Sequence, residues 1–263
     1  MLAIDSISKT FFPGTLNERR ALVELSLRLD EGDFVTVIGS NGAGKSTLLN
    51  AISGRYTVDS GSIEIDGKRV NRLKEFQRAK FIGRVFQDPM AGTAPNLTIE
   101  QNLALALRRG RTRGLGFALT AKQRERFRDE LASLELGLEN RLPAKVGLLS
   151  GGQRQALSLL MAGFTRPRIL LLDEHTAALD PQRAALVADL TQRIVTQGRL
   201  TTLMVTHNME QAIKLGNRLV MMHEGRIVFE ASEVQKRTLT VPRLLEEFSK
   251  IKGAALDDRT LLT

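Results

Sequence analysis

Phe34-Val35-Thr36-Val37-Ile38-Gly39-Ser40-Asn41-Gly42-Ala43-Gly44-Lys45-Ser46-Thr47 is the stretch from which the rest of this 263-residue chain can be read. Five apolar or branched residues of strand length run into Gly39 to Ser46, which satisfies G-x-x-x-x-G-K-(S/T). Leu48, Leu49 and Ile52 then recur at helical spacing. Strand, glycine loop and helix in that order are the context the motif requires. Gly39, Gly42 and Gly44 let the backbone turn its N–H groups inward around phosphate oxygens, and the helix N-terminus adds positive potential. Lys45 is placed to reach the β- and γ-phosphates and the Ser46 hydroxyl to hold Mg²⁺. The expected ligand is a nucleoside triphosphate.

A triphosphate site needs carboxylates, and Ile169-Leu170-Leu171-Leu172-Asp173-Glu174 supplies two at the end of a buried strand. Ligand sites in open α/β sheets gather at such carboxyl ends. Asp173 is read as an Mg²⁺ holder through water, and Glu174 as the general base that polarises the attacking water. His207 ends the apolar run Thr201 to Thr206, where it could hold water and Glu174 in line on the γ-phosphate. A lone histidine at such a place is more often structural. Gln87, after the strand-like Val85-Phe86, could bind Mg²⁺ or the water; its spacing alone does not establish that.

Elsewhere, strand-length apolar runs alternate with helical patterns, which predicts an α/β layered fold. Phe34 to Ile38, Arg168 to Leu172 and Thr201 to Thr206 read as buried parallel strands. Met1 to Ser8, Leu22 to Leu29 and Ser62 to Asp66 alternate more and suit a partly exposed antiparallel sheet. Leu219 to Met222 and Arg226 to Phe229 form a hairpin around Glu224-Gly225. From about Pro95 to Phe164 the pattern is helical. Thr98 with Gln101 and Thr120 with Gln123 form capping boxes, and Phe127, Leu131 and Leu134 share one face. Asp180-Pro181 opens a further helix with Leu186, Leu190 and Ile194 as its stripe and Gly198 at its end.

Composition sets the outer limits. A hydrophobic fraction of 42% and a charged fraction of 25% are those of an ordinary globular protein. No apolar run approaches the ~18 residues that cross a bilayer, and Met1 to Asp5 carries no secretory signal. The absence of cysteine excludes disulfides, thiolate metal sites and thiol nucleophiles, and fits a cytosolic location. The net charge is +9, and seven of those nine charges fall between Arg108 and Arg128. Such a block is either a solvated face or a contact for an anionic partner.

Leu149-Ser150-Gly151-Gly152-Gln153 decides the family. Ser150 and Gln153 make a helix capping box, yet two glycines at a helix start favour close backbone approach to an anion over stability. With this LSGGQ the chain resembles the ATP-binding-cassette ATPases over nearly its whole length. Gly39 to Thr47 resembles their Walker A, Ile169 to Glu174 their Walker B with its catalytic glutamate, and Leu149 to Gln153 their signature. Gln87 is similar to the Q-loop, Ala178-Leu179-Asp180 to the D-loop and His207 to the switch histidine.

The resemblance implies a P-loop NTPase: a RecA-like parallel core with an antiparallel β-subdomain and an inserted helical subdomain. Residues 1–94 and 165–230 would form the core with its β-subdomain, 95–164 the helical subdomain, and 231–263 a short helical tail. It further implies a head-to-tail homodimer with ATP between the Walker motifs of one copy and Ser150, Gly151, Gly152 and Gln153 of the other, Asp180 helping to join the sites. Phe11, with Phe12 as the alternative, matches the aromatic that stacks on adenine; neither carries the usual tyrosine hydroxyl. His175-Thr176-Ala177 replaces the common Pro-Thr-Ser, so His175 is either a variant loop residue or a subgroup contact.

The ATPase would drive separate transmembrane permease subunits from the cytoplasmic face of the inner membrane. A stand-alone chain is typical of bacterial importers, which also use an extracytoplasmic binding protein. Phe86 to Met90 and His175 to Asp180 look most like a subgroup of which some members serve aromatic amino-acid uptake. An export or lipoprotein-release ATPase is the alternative within transport, and a cassette ATPase acting on nucleic acid or a soluble complex the alternative outside it. Relatives acting on nucleic acid insert coiled coils or cysteine modules before the signature, whereas only 105 residues separate Lys45 from Ser150 here; no nucleic-acid partner is expected. Some of the basic stretch, Arg108, Arg109, Arg111 and Arg113 foremost, would face anionic lipid headgroups.

Overall fold

A computed structural model of the chain describes residues 1–110 and 119–260, with side chains as far as residue 250. The first half runs β1 (Leu2–Phe11), β2 (Arg19–Leu29), β3 (Phe34–Gly39), α1 (Lys45–Ser53), β4 (Ser60–Ile65), β5 (Lys68–Arg69), α2 (Glu75–Arg78) and β6 (Ile82–Val85). Three helices follow, α3 (Ile99–Leu107), α4 (Ala121–Ala132) and α5 (Gly151–Gly163). The chain then alternates through β7 (Ile169–Asp173), α6 (Pro181–Gly198), β8 (Thr202–Val205), α7 (Met209–Lys214), β9 (Arg218–His223) and β10 (Arg226–Ala231). It ends in α8 (Glu233–Lys236) and α9 (Val241–Thr260).

Two sheets result. The larger has the order β10-β9-β3-β8-β7-β6 and is parallel except for β10, which returns against β9 through the Glu224-Gly225 turn. The smaller, β2-β1-β4-β5, is antiparallel throughout. Within the large sheet Asp173 pairs with Val205, so β7 and β8 end level, while Val37 pairs with Val205 and β3 runs two residues further, to Gly39 opposite Met222 of β9. Three chain segments that leave those strands therefore emerge side by side.

Apolar residues fill both faces. Leu48, Leu49 and Ile52 of α1 are fully buried among Leu2, Ile4, Val35, Val37, Leu171 and Leu203, so α1 packs against both sheets. On the other face Leu103, Phe127, Leu131 and Leu157 pack with Leu170, Leu172 and Met204. Each such side chain contributes about 1.5–3 kcal/mol by leaving water. The capping boxes at Thr98, Thr120 and Ser150 form as the sequence predicts.

One detail differs from the sequence reading. In α6 the buried residues are Val187, Ala188, Leu190, Thr191 and Val195, while Ile194 packs partly buried against the core and Leu186 is exposed. Thr191 is accommodated inside because its hydroxyl donates to the Val187 carbonyl four residues back. Gly198 is the last helical residue, as the sequence predicts, and Arg199 caps it in the left-handed region. In α3, Leu103 is buried and Leu105, two residues on and off that face, is 54% exposed. Among the described residues no helix is long and apolar enough to cross a membrane.

Two buried cations tie peripheral elements down. Arg78 of α2 donates to the Ala51 and Ile52 carbonyls at 2.8 and 2.9 Å, closing the C-terminus of α1. Lys236 of α8 donates to the Leu215 carbonyl, to the Thr36 hydroxyl at 3.2 Å and to the Arg218 carbonyl at 3.3 Å. Burial pushes the Lys236 ammonium down to about 8. The unfolded chain keeps that proton up to about 10.5, so between these values the unfolded state binds more protons and stability rises with pH. Denaturant titrations from pH 7.5 to 10.5 are expected to show this rise, by about 3 kcal/mol at most. The expected rise is absent from Lys236→Met measured alongside.

Candidate active site

The glycine loop joins β3 to α1, and its glycines are demanded by what surrounds it. A Cβ on Gly39 would stand 2.2 Å from the Met222 carbonyl oxygen, and Gly39 has φ +155°. A Cβ on Gly44 would stand 2.3 Å from the Ala21 carbonyl oxygen, at φ +99°. The loop is thus wedged between β9 and β2. The Lys45 ammonium folds back to donate to the Gly39 and Ser40 carbonyls at 2.8 and 3.0 Å. Burial lowers its pKa, opposed by the negative charges of Glu174 and Asp173. The cleft above the loop, about 280 Å³, is lined by Arg19, Asn41 to Thr47 and Glu174. Arg19 closes one side by donating to the Gly42 carbonyl at 3.0 Å.

Neighbouring strand ends bring Glu174 to the wall of this cleft, with Asp173 one residue before it and His207 in contact with it. Glu174 follows β7 at φ +42°, held there by its N–H on the Val205 carbonyl and by its own carbonyl accepting from Ala177 N–H. His207 follows β8, and its Nδ1 lies 3.3 Å from Glu174 Oε2. With Glu174 ionised, the imidazole donates and orients the carboxylate. Asp173 is three-quarters or more shielded, and burial raises its pKa while Arg84 opposes the rise. Arg84 Nη2 lies 3.2 Å from Asp173 Oδ2. The Ser46 hydroxyl in the cleft and the Asp173 carboxylate are hard oxygen donors, few in number. That donor set fits Mg²⁺, which takes one or two protein oxygens and completes its shell from phosphates and water.

The predicted residues do not all meet in one chain. Ser150 caps α5 by accepting from Gln153 N–H at 3.3 Å, and Gln153 returns its amide oxygen to Ser150 N–H at 3.2 Å. Gly151 and Gly152 are close-packed: added Cβ atoms would lie 3.3 Å from Leu179 Cδ2 and 3.3 Å from Arg183 Cδ. The signature therefore abuts the start of α6, whose N-cap is Asp180, accepting from Arg183 N–H at 3.1 Å. None of Ser150 to Gln153 lines the cleft of its own chain. Gln87 is exposed just past β6. Phe11 packs its ring against Tyr56 at 5.3 Å, and Phe12 is 67% exposed; neither lines the cleft.

His175 is no surface loop residue. It is buried, with Nε2 2.8 Å from the Thr191 hydroxyl. Because Thr191 donates to Val187, it accepts from His175 Nε2–H, leaving Nδ1 without a partner. Burial pushes this imidazole down to about 4, so it is neutral near pH 7.

The basic stretch is only partly what its charge suggested. Arg109 is turned inward, donating to the Ala162 carbonyl at 2.6 Å and to the Thr165 hydroxyl at 2.8 Å, and is not available to lipid. Arg124 pairs with Glu100 at 2.7 Å, and Arg126 lies over the Phe164 ring. Arg111 and Arg113 lie outside the described residues. Arg19, which lines the cleft, and Arg84, which stands behind it against Asp173, are the residues that sequence reading missed. A lone charge inside the strand run Ile82 to Val85 was the available signal for Arg84; Arg19 offered none.

A strand–loop–helix phosphate cradle, a Walker-type carboxylate pair and a capped glycine signature define an ATP-binding cassette. The family model for ABC transporters matches residues 22–177, and the chain belongs to that family. It is 45% identical to a tyrosine transport ATP-binding protein of Clostridioides difficile (strain R20291), over 94% of this chain and 98% of that one. It is 37% identical to the aliphatic sulfonates import ATP-binding protein SsuB 2 of Agrobacterium fabrum, over 93% and 84%. A dimeric ATP-binding cassette in a post-hydrolysis state with ADP and Pi superposes with a TM-score of 0.75 at 30% identity, covering 89% of this chain and 99% of that one. The chain is an ATP-binding, ATP-hydrolysing subunit of a transporter.

Gly39→Ala tests the wedge. The clash with Met222 is expected to cost about 1–3 kcal/mol of stability. Binding of a fluorescent ATP analogue is expected to be lost in the same variant, whereas Gly67→Ala, at a turn with open space, leaves binding intact.

Proposed function

We propose that this chain is the ATPase of a bacterial importer, working as a head-to-tail homodimer docked on separate permease subunits at the inner face of the membrane. The observation that carries the dimer is the separation just described. The cradle and Glu174 share one cleft, while the signature lies off it, capped and ready to offer N–H groups to a second copy's γ-phosphate. Lys45 and Asn41 to Thr47 hold the phosphates, Ser46, Asp173 and Gln87 hold Mg²⁺, and Glu174, oriented by His207, takes the proton of the attacking water. Mg²⁺, when bound, neutralises charge developing on the phosphates. Phe11 meets the adenine, and Asp180 faces the partner's site while it caps α6. Residues 95–164 act as the helical subdomain and 231–263 as a tail.

Import is supported by the roles of the similar proteins, an aliphatic sulfonates import ATP-binding protein among them. An amino-acid cargo, delivered by an extracytoplasmic binding protein, is supported by the 45% likeness to a tyrosine transport ATPase. Glu174→Gln is expected to bind ATP with near-normal affinity, to lose hydrolysis by at least two orders of magnitude, and to run as a dimer with ATP on size exclusion. Turnover close to the parent's in that variant would overturn the assignment of the base. A Glu174→Gln chain that stays monomeric with ATP and Mg²⁺ would overturn the shared site.

A further inference from the structure

One buried cation touches three of the functional segments at once. The Arg84 side chain is 9% exposed on β6. Its Nη2 meets Asp173 at the end of β7, and its Nη1 donates to the Ser53 hydroxyl at 3.1 Å, on the last residue of α1. Its guanidinium carbon stands 4.6 Å from the centroid of the Phe86 ring, the residue before Gln87. The Phe86 carbonyl in turn accepts from Gln155 Nε2 at 3.2 Å, and Gln155 is fully buried on the signature helix α5. Contacts therefore run without a gap from the phosphate-loop helix and Asp173, through Arg84 and Phe86, to α5.

We infer that Arg84 is a positioning residue that couples the state of Asp173 to the signature helix through Phe86 and Gln155. A guanidinium is a rigid plane with a fixed fork of donors. Drawing Asp173 toward a second cation weakens the fork's hold on the carboxylate and re-seats the plane on Phe86. The Phe86 carbonyl carries that shift to Gln155. Both ends of the relay hold spare capacity, since Arg84 Nε and Gln155 Oε1 are buried without partners. Unused polar atoms in a low-dielectric interior mark a network with a second arrangement to satisfy. In this way the metal at one ATP informs the helix that serves the other. The inference rests on the reading of Asp173 as an Mg²⁺ holder.

The chain has no tryptophan, so Leu148→Trp, at a 73% exposed position ahead of the signature, gives a single reporter on the helical region. In a Glu174→Gln background saturated with ATP, Mg²⁺ is titrated and reporter fluorescence read. ATP affinity without Mg²⁺ is measured separately with a fluorescent analogue. The parent is expected to show an Mg²⁺-dependent change. Arg84→Gln and Gln155→Leu are each expected to reduce its amplitude at least fivefold, the double variant no further than the larger single, with Mg²⁺-free affinity within twofold of the parent. An unchanged amplitude in Arg84→Gln, or losses that multiply in the double variant, overturns the coupling. A parent complex that binds ATP but ignores Mg²⁺ sinks the metal reading of Asp173 itself, a different result from a response that ignores Arg84. Should Arg84→Gln not fold, Arg84→Lys and Gln155→Leu decide. Both lose amplitude if the relay exists; retention in both overturns it.

Discussion

Everything catalytic here depends on the parallel register of three neighbouring strands. Val205 faces Val37 on one side and Asp173 on the other, so β7 and β8 stop together and β3 runs two residues past them to Gly39. From these neighbouring strand ends come the glycine loop, the histidine and the carboxylate pair. A slip of one residue in any of these strands would turn its side chains to the opposite face and move its terminal group by about 3.3 Å. Either error would separate the groups that the proposed function brings to a single phosphate. The fully buried Val35, Val37, Leu171, Leu203 and Val205 guard the register, because slippage would exchange their positions with those facing α5 and α6.

The strands, the capping boxes and the phosphate cradle were legible because each is written in local chemistry: branched runs, a Ser or Thr three residues before Gln, glycines before Lys45. The inward face of α6 was not, since Thr191, polar by type, is buried with its hydroxyl satisfied inside the helix while the apolar Leu186 is exposed. His175 was ambiguous for a related reason. Only the fold shows that α6 carries a hydroxyl for it to meet. Arg109 looked like surface charge and proved to be a donor to Ala162 and Thr165, 53 and 56 residues away. Contacts at such separations leave no periodic trace. Arg84 shows the same limit, as its three neighbours come from three different segments.

Buried cations recur as fasteners in this chain. Arg78 closes α1, Arg109 holds the end of α5, and Lys236 ties α8 to the strand that leads into the glycine loop. Each satisfies carbonyls that helix ends or strand edges would otherwise leave bare. The overall positive charge of the protein is in part the sum of these internal duties. A count of Lys and Arg therefore overstates how much positive potential is offered outward to nucleic acid or lipid.

The folded-back Lys45 has a further meaning. Its ammonium donates to the Gly39 and Ser40 carbonyls, six and five residues back, so one side chain ties the first turn of α1 to the end of β3. The lysine is thereby a strut of the loop as well as a charge. A long, flexible stem held at its tip in this way has surrendered much of its rotamer freedom within the fold itself.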